Sequence, residues 1–264
     1  MKRQFYPLNN NLMKGAIIGD IVGSRFEFNN HLSTDFQLFT DDCAFTDDTI
    51  CTVAVADALL KGIPFPDALR NWCARYPSPK GSYGGSFGAW LRAKHPEPYN
   101  SYGNGSAMRV SPCAWFSNNR EDVLKWARQS AECTHNHPEG IRGALYVADA
   151  IFQARTGASK AALRQLATET YGYSLPSSCN AIRETNTFNE TCQVTVPQAL
   201  VCVLESADFE HAIRLAVSIG GDTDTLAAIA GSIAEGLYGV PPALAEKALS
   251  YLTPEMRAVI TKFV

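Results

Sequence analysis

The stretch Gly220-Gly221-Asp222-Thr223-Asp224-Thr225 sets two carboxylates and two hydroxyls in four residues, directly after two glycines that permit a sharp turn. The run that follows, from Leu226 to Gly239, is a helix pattern almost free of bulky side chains. Carboxylates this close repel each other unless a compensating charge lies between them. Oxygen-only clusters of this sort hold hard cations. The competing reading is a helix N-terminus that uses Asp and Thr only as caps. A second cluster weakens it, because Thr46-Asp47-Asp48-Thr49 opens another small, apolar run from Ile50 to Leu60. Ala54 and Ala58 in one run, and Ala227, Ala230, Gly231 and Ala234 in the other, recur at helical spacing. Small faces let two helices approach closely. The expectation is one site with ligands from both ends of the chain.

Other residues compete for the same chemistry. Thr40-Asp41-Asp42 precedes the second cluster by six residues, but no helix pattern follows it directly, and it reads as solvated loop. Glu27 lies between Phe26 and Phe28, either at the surface or carried into an aromatic-lined pocket. His135-Asn136-His137 invites a metal reading, but no third nitrogen or sulfur ligand accompanies it. Gly81-Ser-Tyr-Gly-Gly-Ser-Phe-Gly88 is a glycine-rich loop leading into Ala89 to Arg92. Backbone amides of such loops at helix starts bind phosphates, although many glycine loops are only turns. A second glycine loop, Tyr99 to Arg109, is rich in hydroxyls and amides.

These residues need elements to position them. The chain has 264 residues, of which 46% are hydrophobic, enough for a sizeable core. Helix patterns cover Lys14–Arg25, with Gly15, Gly19 and Gly23 spaced for a close helix contact, then Pro66–Tyr76 with Trp72 inward. Further ones cover 107–116, 121–133, 139–155, 159–171, 209–219, 241–251 and 254–263. Ser174–Thr195 reads as a long irregular loop with a short strand at Gln193–Val196, and Pro197 as a helix start. No repeat, low-complexity linker or βαβ alternation occurs. The reading is an all-α single domain over residues 13–264, preceded by a loose polar arm at 1–12.

Composition narrows the partners. The net charge is −3 with no basic run, which argues against nucleic acid as a partner. Eight cysteines are scattered without a C-x-x-C pair, so a zinc site is not expected. No secretory signal or membrane-length stretch is present. Reduced thiols in a cytoplasm are the simplest reading.

Four stretches in order, Gly15–Phe28, Phe45–Thr49, Tyr102–Arg109 and Gly220–Gly239, together with Thr195-Val-Pro-Gln-Ala199, closely resemble the ADP-ribosylglycohydrolase family. The resemblance implies an orthogonal helical bundle and two magnesium ions, with manganese as a substitute. It implies metal ligands at Thr46, Asp47, Asp48, Asp222, Asp224 and Thr225. Glu27 matches an acidic position beside the metals. Either Glu27 or a metal-bound water with an Asp such as Asp47 as base is compatible with the catalytic step. Tyr83, Gly84, Gly85, Ser86, Phe87 and Gly88 match a phosphate-side loop. Ser101, Tyr102, Gly103 and Asn104 match the loop that holds the pyrophosphate and ribose, and His135 a residue on the adenosine side. The loops at Asn29–Ala44 and Ser174–Glu190 look individual and would set substrate choice.

The implied activity is a Mg-dependent hydrolase that frees ADP-ribose from a modified side chain, foremost arginine on a protein. Cleavage at C1″ passes through an oxocarbenium-like state that a carboxylate assists. Serine, O-acetyl or nucleobase linkages, on protein or on a small ADP-ribose conjugate, remain alternatives. So do a binding or immunity protein that occludes a cognate ADP-ribosyltransferase and a metal-dependent phosphoester hydrolase.

Overall fold

The computed structural model describes residues 13–263, and the proposed N-terminal arm at 1–12 lies outside them. Fifteen α-helices follow one another in these residues. They are α1 (Gly15–Gly23), α2 (Asp47–Lys61), α3 (Phe65–Arg75), α4 (Gly85–Arg92), α5 (Gly105–Met108), α6 (Ser111–Phe116), α7 (Arg120–Glu132) and α8 (Pro138–Arg155). They continue as α9 (Lys160–Gln165), α10 (Cys179–Thr185), α11 (Cys192–Glu205), α12 (Phe209–Ser218), α13 (Thr223–Tyr238), α14 (Pro242–Tyr251) and α15 (Pro254–Ile260). A π-helical turn, Leu166–Thr170, extends α9. The described residues contain no strand beyond two isolated bridges, Thr46 to Lys80 and Gly103 to Thr191. The fold is all-α. Among the described residues, no helix is long and apolar enough to cross a membrane.

The architectural centre is α13, buried from Thr223 to Glu235. Its closest neighbour is α1. A Cβ on Gly15 would lie 2.2 Å from Gly231 O, one on Gly19 2.0 Å from Ala227 O, and one on Gly23 2.4 Å from Thr223 O. The two backbones therefore touch along three successive turns, and any side chain at these positions would force them apart. The spacing Gly15, Gly19, Gly23 predicts this close contact. The small face of α13 was expected to meet that of α2, but it meets the glycines of α1, which lies between. The N-termini of α2 and α13 still converge, with Thr225 Oγ1 donating to Asp48 Oδ1 at 3.3 Å.

Local signals account for the helix ends. Thr46 caps α2 by accepting from Asp48 N, and Gly62 closes it at φ +66°. Asp208 caps α12 through His211 N at 2.8 Å. Trp72 points inward as expected and donates to Asp57 at 3.0 Å.

Elsewhere the structure corrects the sequence reading. The segment 174–195 is not one irregular loop, because α10 lies within it and α11 already starts at Cys192. No strand forms at 193–196, and Pro197 sits inside α11 rather than at its start. The cause is tertiary. Asn104 N donates to Glu190 O at 2.7 Å and Cys192 N to Tyr102 O at 3.0 Å, which anchors the chain ahead of the proline. The helix expected over 107–116 divides into α5 and α6 around Arg109 and Val110. Arg109 is fully buried there and donates to Ser130 O and Thr134 Oγ1, both at 2.8 Å. The second half of the glycine loop, Gly85 to Gly88, forms the first turn of α4.

Candidate active site

The site forms where the N-termini of α2 and α13 meet the segment that follows α1. Glu27, Asp222 and Asp224 each bring a carboxylate oxygen within 4.8 Å of the others. Asp48 joins through its hydrogen bond with Thr225, and Asp47 is its neighbour on the first turn of α2. Asp41 and Asp42 are exposed, as expected of a solvated loop.

The capping alternative can be examined directly. Asp222 occupies the N-cap position of α13, yet its side chain makes no cap hydrogen bond. At α2 the cap is Thr46, which leaves Asp47 and Asp48 for other work. Asp222 Oδ2 instead accepts from Asn104 Nδ2 at 2.7 Å.

The electrostatics of the cluster favour a bound cation. Burial, with Asp224, Asp20 and Glu190 adding to it, pushes Glu27 up to about 8. Burial raises Asp222 to about 6. Asp47, Asp48 and Asp224 are each held well above the usual carboxylate range, first by burial and then by neighbouring carboxylates. Glu27 Oε2 and Asp48 Oδ2 are buried without a hydrogen-bond partner. Buried carboxylate oxygens of this kind are paired or bind metal in a stable protein. The donor set is oxygen only, so these residues fit a hard divalent cation. Thr46 and Thr225 use their hydroxyl protons on Asp20 and Asp48, which leaves lone pairs for a cation.

Sequence reasoning missed Asp20, which lies inside the Lys14–Arg25 helix pattern. It is fully buried and accepts from Thr46 N at 3.0 Å, Thr46 Oγ1 at 2.7 Å, Thr49 N at 3.1 Å and the Thr49 hydroxyl. These bonds lock the first turn of α2 onto α1. An Asp in a glycine-spaced, otherwise apolar helix was the only available signal.

The two glycine loops flank the acidic cluster. Gly81 lies against Glu27, and a Cβ there would be 2.8 Å from Glu27 Oε2. From Gly81 the chain runs into α4, where Gly84, Gly85 and Ser86 are exposed and no atom lies within 4 Å of a Cβ on either glycine. Tyr83, Phe87 and Gly88 serve differently. Tyr83 donates its hydroxyl to Tyr76 O at 2.7 Å, Phe87 stacks on Trp90 at 5.7 Å, and Gly88 is buried. They anchor the loop, and Gly84 to Ser86 face outward.

In the second loop, Ser101 accepts from Gly103 N at 3.1 Å, and Asn104 links the loop to Thr195 and Asp222. Tyr102 is exposed, edge-on to His137 at 5.2 Å. His135 is 5% exposed and lies beneath the loop, its Nε2 3.1 Å from a Cβ on Gly105. Burial and Arg109 hold it well below the ordinary histidine range, so the ring is neutral.

The chain matches the sequence model of the family described as ADP-ribosylglycohydrolase over residues 11–262. The chain belongs to the ADP-ribosylglycohydrolase family. Mouse ADP-ribosylhydrolase ARH3 is 26% identical over 86% of this chain and 83% of its own. ADP-ribosylarginine hydrolase Tri1 of Pseudomonas putida (strain GB-1) is 28% identical over 88% of this chain and 72% of its own. A solved structure titled ADP-ribosylglycohydrolase-related protein complex superposes with a TM-score of 0.72 at 24% identity. It covers 96% of this chain and 95% of that one, and shows the shared fold. The protein is a hydrolase of ADP-ribosylated substrates, with an acidic cluster suited to metal at the position described.

Proposed function

We propose that the enzyme hydrolyses the bond between ADP-ribose and arginine on a protein, releasing ADP-ribose, and that it uses two Mg²⁺ ions, replaceable by Mn²⁺. The observation that carries this reading is the convergence of Glu27, Asp222 and Asp224 on one point, with orphaned oxygens on Glu27 and Asp48. Arginine is favoured because Tri1 is named for that linkage and because the acidic surroundings suit a cationic leaving group.

Thr46, Asp47, Asp48, Asp222, Asp224 and Thr225 would hold the ions, with Glu27 within reach. Bound there, divalent cations supply charge neutralisation and acidify water. The chain's own residues do the rest. Asn104 orients Asp222, and Asp20 orients Thr46. Backbone amides at Gly84 to Ser86 and in the Ser101–Asn104 loop face the pyrophosphate, with His135 supporting the adenosine side. Glu27, through its unpartnered Oε2, shields positive charge at C1″ or takes the proton of the attacking water. Asp47 is the alternative base. A cytoplasmic setting fits the eight free cysteines, and an arginine-modifying ADP-ribosyltransferase would supply the substrate.

The test is a panel of defined ADP-ribose conjugates, linked through arginine, serine, O-acetyl and nucleobase, with products read by mass. Release of intact ADP-ribose from the arginine conjugate is expected. Release of AMP would indicate a phosphoester hydrolase. Neutralisation of a transferase that survives loss of the carboxylates would indicate occlusion.

A further inference from the structure

Two phenylalanines beside the acidic cluster have no role in the chemistry described so far. Phe28 is 74% exposed and Phe188 is 46% exposed. Their rings stack, with centroids 5.9 Å apart and planes 24° from parallel. They come from segments far apart in sequence, and both segments are fastened to the same turn. Asn30 accepts from Gly221 N at 2.8 Å and donates to Gly221 O at 3.0 Å, which holds the Phe28 segment. Asn186 donates to Ile219 O at 3.1 Å and Gly220 O at 2.9 Å, and Gln198 braces it at 2.9 Å, which holds the Phe188 segment. A Cβ on Gly221 would lie 3.3 Å from Thr187 O. Gly221 directly precedes Asp222, and Phe28 directly follows Glu27. The stacked pair is thus a braced wall at the edge of the carboxylate cluster.

Its chemistry selects an occupant. Aromatic faces carry negative potential and attract planar cations, guanidinium above all, within about 6 Å of the ring centroid. Glu190, outside the proposed metal-ligand set, lies close enough to Glu27 and Asp222 to act on both electrostatically, so negative charge remains at this edge when the ligands hold cations. A serine hydroxyl is neither planar nor cationic, and a nucleobase is planar but gains nothing from the carboxylates. The same pairing occurs within this chain, where the Arg25 guanidinium sits 4.2 Å from the Phe26 centroid.

We infer that Phe28 and Phe188 form the recognition platform for the group leaving ADP-ribose, and that they select a guanidinium. This rests on the arginine-hydrolase reading above and deepens it. Phe28 directly follows Glu27, the carboxylate proposed to act at C1″, so the platform is assigned to the leaving group.

The test compares wild type, Phe28→Ala, Phe188→Ala and Phe28→Trp, with Mg²⁺ present. Steady-state kinetics are measured on ADP-ribosyl-arginine and ADP-ribosyl-serine peptides, and free ADP-ribose binding by calorimetry. Each alanine variant should raise KM for the arginine peptide about 3- to 30-fold, the range of a partly desolvated cation–π contact. kcat and ADP-ribose affinity should change less than about twofold, and Phe28→Trp should restore KM. An unchanged KM in both alanine variants, or an equal loss on both peptides or in ADP-ribose affinity, overturns the platform and leaves the arginine reading standing. A wild-type enzyme that ignores the arginine peptide and cleaves another linkage overturns both.

Discussion

Asp20 Oδ1 accepts the Thr46 hydroxyl at 2.7 Å, and this one bond joins the helix that wedges against α13 to the helix that opens the candidate metal site. With the three other bonds that Asp20 accepts from Thr46 and Thr49, it sets the direction in which α2 presents Asp47 and Asp48. Without it, the first turn of α2 would depend on the Thr46 cap alone.

Asp20→Asn should therefore damage both stability and metal binding. The amide keeps the shape but turns NH₂ toward groups that already donate. A buried donor left facing donors costs about 1–3 kcal/mol. For a chain of this size that is a loss of about 3–10 °C in Tm. Melting curves with EDTA would show the structural part, and Mg²⁺ titration followed by calorimetry the weakened site. Wild-type values in both would remove Asp20 from its positioning role.

Asp222→Asn, Asp224→Asn and Asp47→Asn should behave differently. Each removes a negative charge from a crowded cluster, so the metal-free protein should melt at an unchanged or slightly higher temperature. Turnover should collapse, and the rise in melting temperature that Mg²⁺ should give in wild type should be lost. EDTA should abolish wild-type activity. Asn caps helices as well as Asp does, so a capping role alone predicts three silent substitutions. Near-wild-type hydrolysis by Asp224→Asn would defeat the metal assignment.

Gly85→Val tests the phosphate-side loop. A Cβ at Gly85 meets nothing within 4 Å, so the variant should fold and melt like wild type. A ligand pressed against the backbone amides would meet the new side chain, and ADP-ribose affinity should fall at least about tenfold, or about 1.4 kcal/mol. Calorimetry with an unchanged Kd would return the loop to a plain turn.

Glu235 governs a pH dependence separate from the metal site. Its carboxylate accepts from Lys14 N at 3.2 Å and Gly15 N at 2.9 Å, holding the start of α1. Burial pushes it from 4.5 up to about 8, against those bonds and the opposing charge of Lys14. The folded state thus keeps a proton that the unfolded state releases. Its contribution is full below about 4.5 and is lost as pH rises toward 8, with a limiting slope of about 1.4 kcal/mol per pH unit. Glu235→Gln should flatten that fall. Urea unfolding of both proteins in EDTA at several pH values between 5 and 8 would show the curves converging toward low pH, and parallel curves would count against it.

Local information was enough for most of the longer helices and for the carboxylates that gather at the candidate site. Apolar periodicity and capping residues placed α2, α3, α7, α8, α12 and α14 to within a few residues. Two Asp/Thr clusters opening small-residue helices identified oxygen-only chemistry before any contact was known. Gly15, Gly19 and Gly23 announced a close contact but not its partner, since the spacing describes one surface and the partner is chosen by the other. Asp20 is not legible as a positioning residue because residue type does not disclose burial or the four donors around it. The start of α11 before Pro197 is hidden for the same reason, since Tyr102 and Asn104 hold it from outside the local window. Sequence by itself thus determined which residues could do chemistry and on which helices they lie. Tertiary structure alone decided that Glu27 meets Asp222 and Asp224, because contacts between residues nearly two hundred positions apart arise from backbones packing closely and leave no periodic trace in the chain.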